Sequence, residues 1–351
     1  MYASVNSTVI PILEIADRNS TPTSDQTPPE DIEDPKWELP EHQLAYPPNP
    51  KFLFSYNCYL QHVACTWTVN ENDPLEDYDK FSRAPVEFQR VILRTAACIM
   101  IGDSVVLDKL SMHVTPRAVK VMLTNQEDRE NTHQIMYSKW CDITSNGEQY
   151  RSLEFRKSYM GEFEELARRY EDGSGDNDIR ITLYFIMLCE NIMFAPFFAI
   201  LNYLATTGFA NKICNANLMV MRDEYIHYVH ARGLLASFRR KIPFELARRI
   251  LDEFVDVTLN VTKRVVEDYD DGFFNYRHVH DHFRHIVHGF MVENGLYRDA
   301  NEASEGGRLW GVTPAESYMS LAKAEIKINL MENVSTIYRL EGVSTDIDMS
   351  F

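Results

Sequence analysis

The sequence predicts an all-α protein with one main helical domain, and three observations support this. Apolar residues recur at three- and four-residue spacing from residue 51 onward, and alternating strand patterns are scarce. Residues 181–204 form an apolar run in which Glu190 is the only charged residue. Carboxylates and histidines also lie within other apolar segments, at spacings that place them on one helix face. We therefore expect a helical bundle with a polar centre.

Composition limits the partners of the chain. Its 351 residues include 35 basic and 52 acidic residues, and the net charge of −17 argues against nucleic acid or an anionic membrane surface as a direct partner. The six cysteines form no CxxC pair, which excludes zinc-finger and disulfide-scaffold proteins and favours a reducing compartment. The chain opens without a signal-peptide pattern. We expect a cytoplasmic protein.

The chain divides into three regions. Residues 1–50 hold nine of the fifteen prolines and nine acidic against two basic residues, which predicts a disordered tail. A helical domain spans 51–335, and a flexible C-terminal tail spans 336–351. Helices are predicted at 51–66, 86–111, 115–140, 150–171, 180–206, 216–237, 243–268, 276–295 and 314–333. Turn signals separate them, among others at 171–178, 206–212 and 302–314.

The apolar run at 181–204 is long enough to cross a membrane. A helix that is apolar all round lies either in lipid or at the centre of a large bundle. Glu190, Asn191, Pro196 and Asn202 disfavour lipid, and the sequence offers no second span. We expect a buried core helix whose carboxylate needs a partner. Pro196 should kink this helix and free a backbone carbonyl.

Four helices carry residue types that suit a metal centre. Asp103 interrupts an apolar run, and Glu190 interrupts another. Two further helices each carry an ExxH pair, whose spacing puts an oxygen and a nitrogen ligand on one face. The six candidate ligands are Asp103, Glu130, His133, Glu190, Glu224 and His227. This is the ligand set of ferritin-like di-metal carboxylate bundles, except that Asp103 stands where a Glu is usual.

Each candidate has a simpler alternative. Glu130 can be a cap or a surface residue, Glu224 can be a solvated charge, and ExxH pairs also arise by chance. The joint arrangement favours the metal centre, because Asp103 and Glu190 lie in runs that have no solvated face. Oxygen and imidazole ligands suit iron or manganese. Two such ions bridged by carboxylates can exchange electrons with O2, which suggests redox chemistry.

At this point the chain resembles the small subunit of class I ribonucleotide reductase, over roughly residues 67–343. The segment ENTHQIMYSKW (130–140) resembles the family's ExxHSxxY element, with Tyr137 at the radical position. The resemblance implies that two iron ions, or manganese ions, held by the six candidate ligands use O2 to generate a tyrosyl radical at Tyr137. A core tyrosine is the alternative, but Tyr137 lies one helical turn past His133 on the same face.

The resemblance also implies a dry pocket around the radical. Phe194 and Phe198 follow Glu190 at four-residue steps, and Val220 lies one turn before Glu224, as in the family. Ordinary core packing is the alternative reading of all three. Here the two readings coincide, because a dry and rigid wall slows the quenching of a phenoxyl radical.

A radical relay and a partner follow from the same resemblance. The segment RDEYIH (222–227) resembles the family's RDExxH signature, in which Asp223 links a metal-bound histidine to a tryptophan, here Trp67. A core tryptophan and a surface salt bridge are the alternatives. Tyr338 matches the tail position that passes the radical to the large subunit, although a disordered end is the usual explanation of such a tail. The family further implies a homodimer whose C-terminal tail docks in a groove of the large subunit.

The chain departs from the family in some regions. The match is poor over 265–312, where His278, His282 and His285 share a helix face and could suggest a second metal site; we favour a polar helix face. Such divergence would fit a large DNA virus, and localisation would then be the host cytoplasm. Two other functions remain. One is a di-metal oxidase or desaturase of the same fold without a radical relay, and the other is an iron-storage or regulatory helical subunit.

Overall fold

The computed structural model describes residues 13–14, 46–48, 50–110, 116–144, 147–172, 178–205, 207–238, 240–272 and 274–310. Helices account for most of them, so the predicted all-α class is confirmed. The predicted helix at 314–333 and the C-terminal tail with Tyr338 lie outside the described residues.

The longer helices lie close to their predicted positions. The helices of the described residues are α1 (Leu53–Ala64), α2 (Tyr78–Phe81), α3 (Val86–Leu110), α4 (Arg117–Cys141), α5 (Glu148–Arg151), α6 (Leu153–Asp172), α7 (Ile179–Leu188), α8 (Ala195–Ala205), α9 (Asn211–Ser237), α10 (Phe244–Val266), α11 (Tyr276–Glu293) and α12 (Ala300–Trp310). The four-residue helices α2 and α5 and the helix α12 are not among the predicted ones. The helix predicted at 150–171 is interrupted at Ser152, whose hydroxyl accepts a hydrogen bond from the backbone N–H of Phe155 at 3.1 Å.

One predicted turn is wrong. The segment 302–314 reads as a turn because it contains adjacent glycines, but α12 runs through it as far as Trp310. The Asp299 side chain accepts hydrogen bonds from the backbone N–H groups of Asn301 and Glu302, and so starts this helix. Gly306 lies against the ring of Tyr297, where a larger side chain would collide. The glycines therefore serve close packing rather than a turn.

A short strand pair involves the N-terminal region. Leu13–Glu14 (β1) pairs in parallel with Ile242–Pro243 (β2), which precedes α10. This pairing differs from the prediction of an unstructured segment throughout residues 1–50. It gives at least two residues of that region a defined position beside the helical domain.

The apolar run forms the centre of the bundle. It is split into α7, a π-helical turn at Cys189–Met193 and α8. The span Ile179–Ala205 is long and apolar enough to cross a membrane, and 83% of its most apolar window is buried inside the protein. This burial is what a core helix shows, as predicted.

The π-helical turn lies just before Pro196, where the sequence predicts a kink. Pro196 has no N–H to donate to the carbonyl of Ile192, so a regular α-helix cannot continue through this region. Gly102 of α3 packs against this segment. A β-carbon at this position would come within 2.7 Å of the Phe194 ring and 2.9 Å of the Met193 methyl group, so a larger residue would not fit without movement of these side chains. Glycine thus lets α3 approach the segment that carries Glu190.

Candidate metal centre

The six predicted ligands converge in the core of the bundle. Asp103 comes from α3, Glu130 and His133 from α4, Glu190 from the π-helical turn, and Glu224 and His227 from α9. Every one of these side chains is buried. They form two overlapping groups, and within each group one ligand atom from every member lies within 4.8 Å of the others. The groups are Asp103, Glu130, His133, Glu224 and Glu130, Glu190, Glu224, His227.

Glu130 and Glu224 belong to both groups, and each spans the two histidines. The Nδ1 atom of His133 lies 3.3 Å from Glu130 Oε2 and 3.0 Å from Glu224 Oε1. The Nδ1 atom of His227 lies 3.0 Å from Glu130 Oε1 and 3.0 Å from Glu224 Oε2. Each shared carboxylate therefore offers one oxygen to each half, which is the arrangement needed to bridge two ions.

Several buried atoms of this centre have no hydrogen-bond partner in the described part of the chain. They include both carboxylate oxygens of Asp103, one oxygen each of Glu130, Glu190 and Glu224, and Nδ1 of His133. Buried polar atoms of this kind are costly unless something satisfies them. Four carboxylates would balance the charge of two divalent cations beside neutral histidines. The donor set therefore fits a pair of iron or manganese ions.

The protonation behaviour of the carboxylates reflects their crowding. Burial raises the pKa of Asp103 well above its ordinary value, and the negative charge of Glu130 raises it further. Burial and the charge of Glu224 act in the same direction on the pKa of Glu190. Burial also acts to raise the pKa of Glu224, but hydrogen bonds with Glu190, His133 and His227 outweigh it and hold the pKa well below normal.

The two histidines compensate for these acids. Burial alone would lower the pKa of His133, but its hydrogen bond with Asp223 and the neighbouring carboxylates of Glu130 and Glu224 raise the pKa well above the usual range. The pKa of His227 is raised in the same way, because the charge of Glu130 and hydrogen bonds with neighbouring carboxylates outweigh burial. Protons thus take the place of cations in this centre, and metal binding should release them.

Behind His133 lies the predicted link to Trp67. The indole N–H of Trp67 donates to Asp223 Oδ2 at 2.8 Å, and His133 Nε2 lies 3.3 Å from the same oxygen. The indole and imidazole rings are stacked with centroids 5.9 Å apart. Arg129 donates to the backbone carbonyl of Trp67 at 3.0 Å, and this hydrogen bond holds the segment between α1 and α2 that carries Trp67. Hydrogen bonding to His133 and the charge of Arg222 overcome burial and lower the pKa of Asp223 to about 2.

Sequence reasoning missed two residues around the centre. His62 of α1 meets the ring of His227 edge-on, with centroids 4.8 Å apart, and burial lowers its pKa to about 3. Gln126 of α4 donates to Glu190 Oε1 at 2.7 Å and lies 3.4 Å from Glu130 Oε1. Helical spacing could have indicated both, since Gln126 precedes Glu130 by one turn and His62 shares the buried face of α1 with Cys58.

Tyr137 is fully buried on α4, one turn past His133. Its hydroxyl donates a hydrogen bond to Asn217 Oδ1 of α9 at 3.0 Å, a partner that sequence reasoning missed. Phe194, Phe198 and Val220 belong to the same apolar cluster as Tyr137, and the two phenylalanine rings contact each other with centroids 5.6 Å apart. Their predicted role as a wall around Tyr137 agrees with this burial but stays a prediction.

The histidine-rich helix α11 shows no metal cluster among the described residues. His278 lies 3.1 Å from the Asn275 side chain, which caps the helix, and His280 pairs with Asp281. His288 hydrogen-bonds with the Tyr297 hydroxyl at 2.6 Å. These contacts are those of a polar helix face, which the sequence analysis favours.

Fold and site together define a helical-bundle protein with a buried carboxylate–histidine centre of the di-metal type. A model of the family "ribonucleotide reductase, small chain" matches residues 49–293, and the chain belongs to this family. The ribonucleoside-diphosphate reductase small chain of African swine fever virus is 24% identical over 247 residues, which cover 68% of this chain and 71% of the viral protein.

Solved structures show the same fold at low sequence identity. The ribonucleotide reductase R2 subunit from Clostridium botulinum superposes with a TM-score of 0.63 at 18% identity, over 77% of this chain and 88% of that chain. A mutant of an R2-like ligand-binding oxidase with an aerobically reconstituted Mn/Fe cofactor superposes with a TM-score of 0.52 at 17% identity, over 72% and 94% of the two chains.

Proposed function

We propose that this chain is the small subunit of a ribonucleoside-diphosphate reductase that generates and stores a tyrosyl radical at Tyr137. The observation that carries the proposal is the pair of carboxylates, Glu130 and Glu224, that each span both histidines of a buried centre. When bound there, two iron ions would supply the chemistry of O2 reduction. Manganese ions suit the same ligands, so the ligand types do not distinguish iron from manganese.

The residues of this chain would position and isolate that chemistry. His133 and His227 present Nδ1 to the centre, and the shared carboxylates hold the two halves together. Tyr137 lies one turn beyond His133, so the phenol is near the centre without being part of it. Phe194, Phe198 and Val220 would exclude water from the radical, consistent with their burial.

Trp67 and Asp223 would carry the radical between the centre and the partner. Asp223 contacts both the indole N–H and His133 Nε2, and so connects the two rings through one carboxylate. In this proposal Trp67 would supply the one electron that the reduction of O2 needs beyond those from the two iron ions and Tyr137. The radical would later pass by way of Trp67 and Tyr338 to a cysteine of the large subunit, which reduces the ribonucleotide.

The partners follow from the same proposal. The C-terminal tail, residues 336–351, would dock in a groove of the large subunit, and the chain would form a homodimer in the cytoplasm. The small subunit would bind neither nucleic acid nor a membrane directly. Its net charge of −17 supports this part of the proposal.

A di-metal oxidase or desaturase is the second candidate function. The fold similarity to an R2-like ligand-binding oxidase supports it, because the same bundle can hold a di-metal centre without a radical relay. The Trp67–Asp223–His133 contacts favour the reductase instead, since an oxidase has no need of a path to a partner subunit. A regulatory relic is disfavoured because all six candidate ligands are present and converge.

Electron paramagnetic resonance spectroscopy tests the proposal. The protein is loaded anaerobically with Fe(II) and exposed to O2, in parallel with Tyr137→Phe and the control Tyr184→Phe. Tyr184 is also fully buried, and its hydroxyl donates to the carbonyl of Ala247 instead. We expect a tyrosyl signal in the unmodified protein and in the control but not in Tyr137→Phe. Loaded metal without a tyrosyl signal would overturn the radical proposal and favour the oxidase.

A further inference from the structure

The hydrogen bond of the Tyr137 hydroxyl goes to a neutral amide and not to a carboxylate of the centre. We propose that Asn217 is a positioning residue for Tyr137, held in a single orientation by Asn202 and Met221 so that it presents only a hydrogen-bond acceptor to the phenol. This proposal rests on the proposed role of Tyr137 as the radical site. It adds a residue that acts on the tyrosine and not on the metal.

The orientation of the Asn217 amide is set by its other contacts. Its Nδ2 donates to Asn202 Oδ1 at 3.1 Å and lies 3.6 Å from the sulfur of Met221. Asn202 Nδ2 in turn lies 3.3 Å from the same sulfur. Because the amino group of Asn217 is committed to these acceptors, its oxygen faces Tyr137, at 3.0 Å from the hydroxyl.

The register of α9 places this amide beside the candidate ligands. Asn217 precedes Val220 by three residues and Glu224 by seven, so all three lie on one helix face. Asn217 is fully buried, and Val220 and Tyr137 beside it belong to the apolar core. A buried amide at this position would be costly without partners, and here its three hydrogen-bonding contacts satisfy it.

The choice of acceptor has a chemical consequence. Both oxygens of Asp103 lack a hydrogen-bond partner in the described part of the chain, so the phenol is turned to the amide and not to this acid. A carboxamide oxygen accepts a hydrogen bond but does not retain a proton. Asn217 therefore fixes the ring and its O–H bond direction while it leaves the phenol protonated. Burial, which raises the pKa of Tyr137, acts in the same direction.

A double-mutant cycle tests the contact in metal-free protein. Asn217→Leu, Tyr137→Phe and the double variant are unfolded in urea. One buried hydrogen bond predicts a coupling of about fivefold in the folding equilibrium constant. Thr262→Val is the control, because it removes a buried hydrogen bond to the Thr258 carbonyl in α10. We expect Thr262→Val to be additive with Tyr137→Phe. Additivity of Asn217→Leu with Tyr137→Phe, within about twofold, would overturn the proposal.

The loaded protein gives a second measurement. If Asn217 positions the ring, Asn217→Leu forms a tyrosyl radical whose hyperfine pattern is altered, because the ring turns about its Cα–Cβ bond. The radical should also decay about tenfold faster, and Asn202→Leu should show a smaller change of the same kind. An unchanged hyperfine pattern and decay rate in Asn217→Leu would overturn the proposal. Absence of any radical in the unmodified protein would overturn the proposed function instead, while the metal-free cycle still decides on Asn217.

Discussion

The two halves of the candidate metal centre differ in what lies behind each histidine. Both histidines present Nδ1 to the shared carboxylates at similar distances. Behind His133, Nε2 meets the carboxylate of Asp223, which also binds the Trp67 indole. Behind His227, Nε2 has no hydrogen-bond partner among the described residues, and the neighbouring ring is that of His62.

This difference shows how one helical bundle can make two nearly symmetric sites unequal. An anion behind a histidine fixes its tautomer and raises its basicity, whereas a neutral ring gives neither effect. The pKa of Asp223 is about 2, so it stays negative, and the pKa of His62 is about 3, so it stays neutral at pH 7. The His133 half therefore has a negatively charged carboxylate behind its histidine, and the His227 half has a neutral ring there.

The largest effect is expected where the two halves are joined. Glu224 contributes to both groups, while Asp103 contributes to one. Glu224→Gln should reduce Fe(II) binding from two ions per chain to less than one, with an affinity loss beyond the roughly 100-fold caused by changes behind a ligand. Asp103→Asn should retain one ion. Anaerobic titration with Fe(II) and metal analysis measure both, and equal stoichiometry in the two variants would contradict the shared role of Glu224.

Asp103→Asn should weaken metal binding but should stabilise the metal-free protein. Asp103 is buried with an elevated pKa and without hydrogen-bond partners for its oxygens in the described part of the chain. Asp103→Asn replaces the acid by a neutral amide of similar size and removes the free-energy cost of burying an ionisable group, so the urea midpoint of the metal-free protein should rise. A fall in the midpoint would show that the carboxylate stabilises the fold even without metal.

The two positions behind the histidines offer a direct comparison. Asp223→Asn keeps the shape of the side chain but removes its charge, and should weaken metal binding by about 10- to 100-fold. His62→Gln changes the neighbour of His227, a ring that also lies 3.9 Å from Asp223, and should weaken metal binding by less than about threefold, since the His62 ring is neutral at pH 7. Competition with a fluorescent chelator measures both affinities. A loss at His62 as large as that at Asp223 would break the distinction between the two halves.

A smaller effect concerns acid stability on the His227 side. His230 is fully buried next to Ser55, and burial lowers its pKa from 6.5 to about 3. Between these two values the unfolded chain binds a proton that the folded chain does not. The free energy of unfolding should therefore fall as the pH decreases from about 6.5 towards 3, by at most about 1.4 kcal/mol for each pH unit.

Substitution separates this contribution from the rest. In metal-free protein, His230→Gln should reduce the loss of stability between pH 7 and pH 5, as measured by urea unfolding at both values. His280→Gln serves as the control, because His280 lies on α11 beside Asp281 and away from the centre. Identical pH slopes for His230→Gln and the unmodified protein would show that His230 does not titrate as its burial implies.

Helical spacing places each ExxH pair on one helix face, and the likeness of the whole set to the ligands of di-metal carboxylate bundles predicts that the six candidate ligands converge. Glu190 could be predicted as buried because the apolar run leaves no solvated side. The partners from other helices could not be predicted in this way. Asn217 contacts Tyr137 through the packing of α9 against α4, and the residue pattern of one helix does not show which face of another helix it meets.

The errors in the prediction also have local physical causes. Gly306 and Gly307 predict a turn, but the side chain of Asp299 caps a helix here and determines where α12 begins. The sequence predicts one continuous helix at 180–206, which carries Glu190 and Phe194 four residues apart. The π-helical turn at Cys189–Met193 contains more residues per turn, so the two side chains do not lie directly above each other.

The position of Glu190 depends on the number of residues in that π-helical turn and not only on their side chains. A π turn is an α-helix with one residue too many, and removal of that residue would return the segment between α7 and α8 to α-helical spacing as far as Pro196. Such a deletion would rotate every residue on one side of it by about 100° relative to the other side. The bundle could keep its apolar packing on one side only, and the carboxylate would leave the centre. A single codon could therefore change the number of ions that this core can hold while each of the other ligands stays in the sequence.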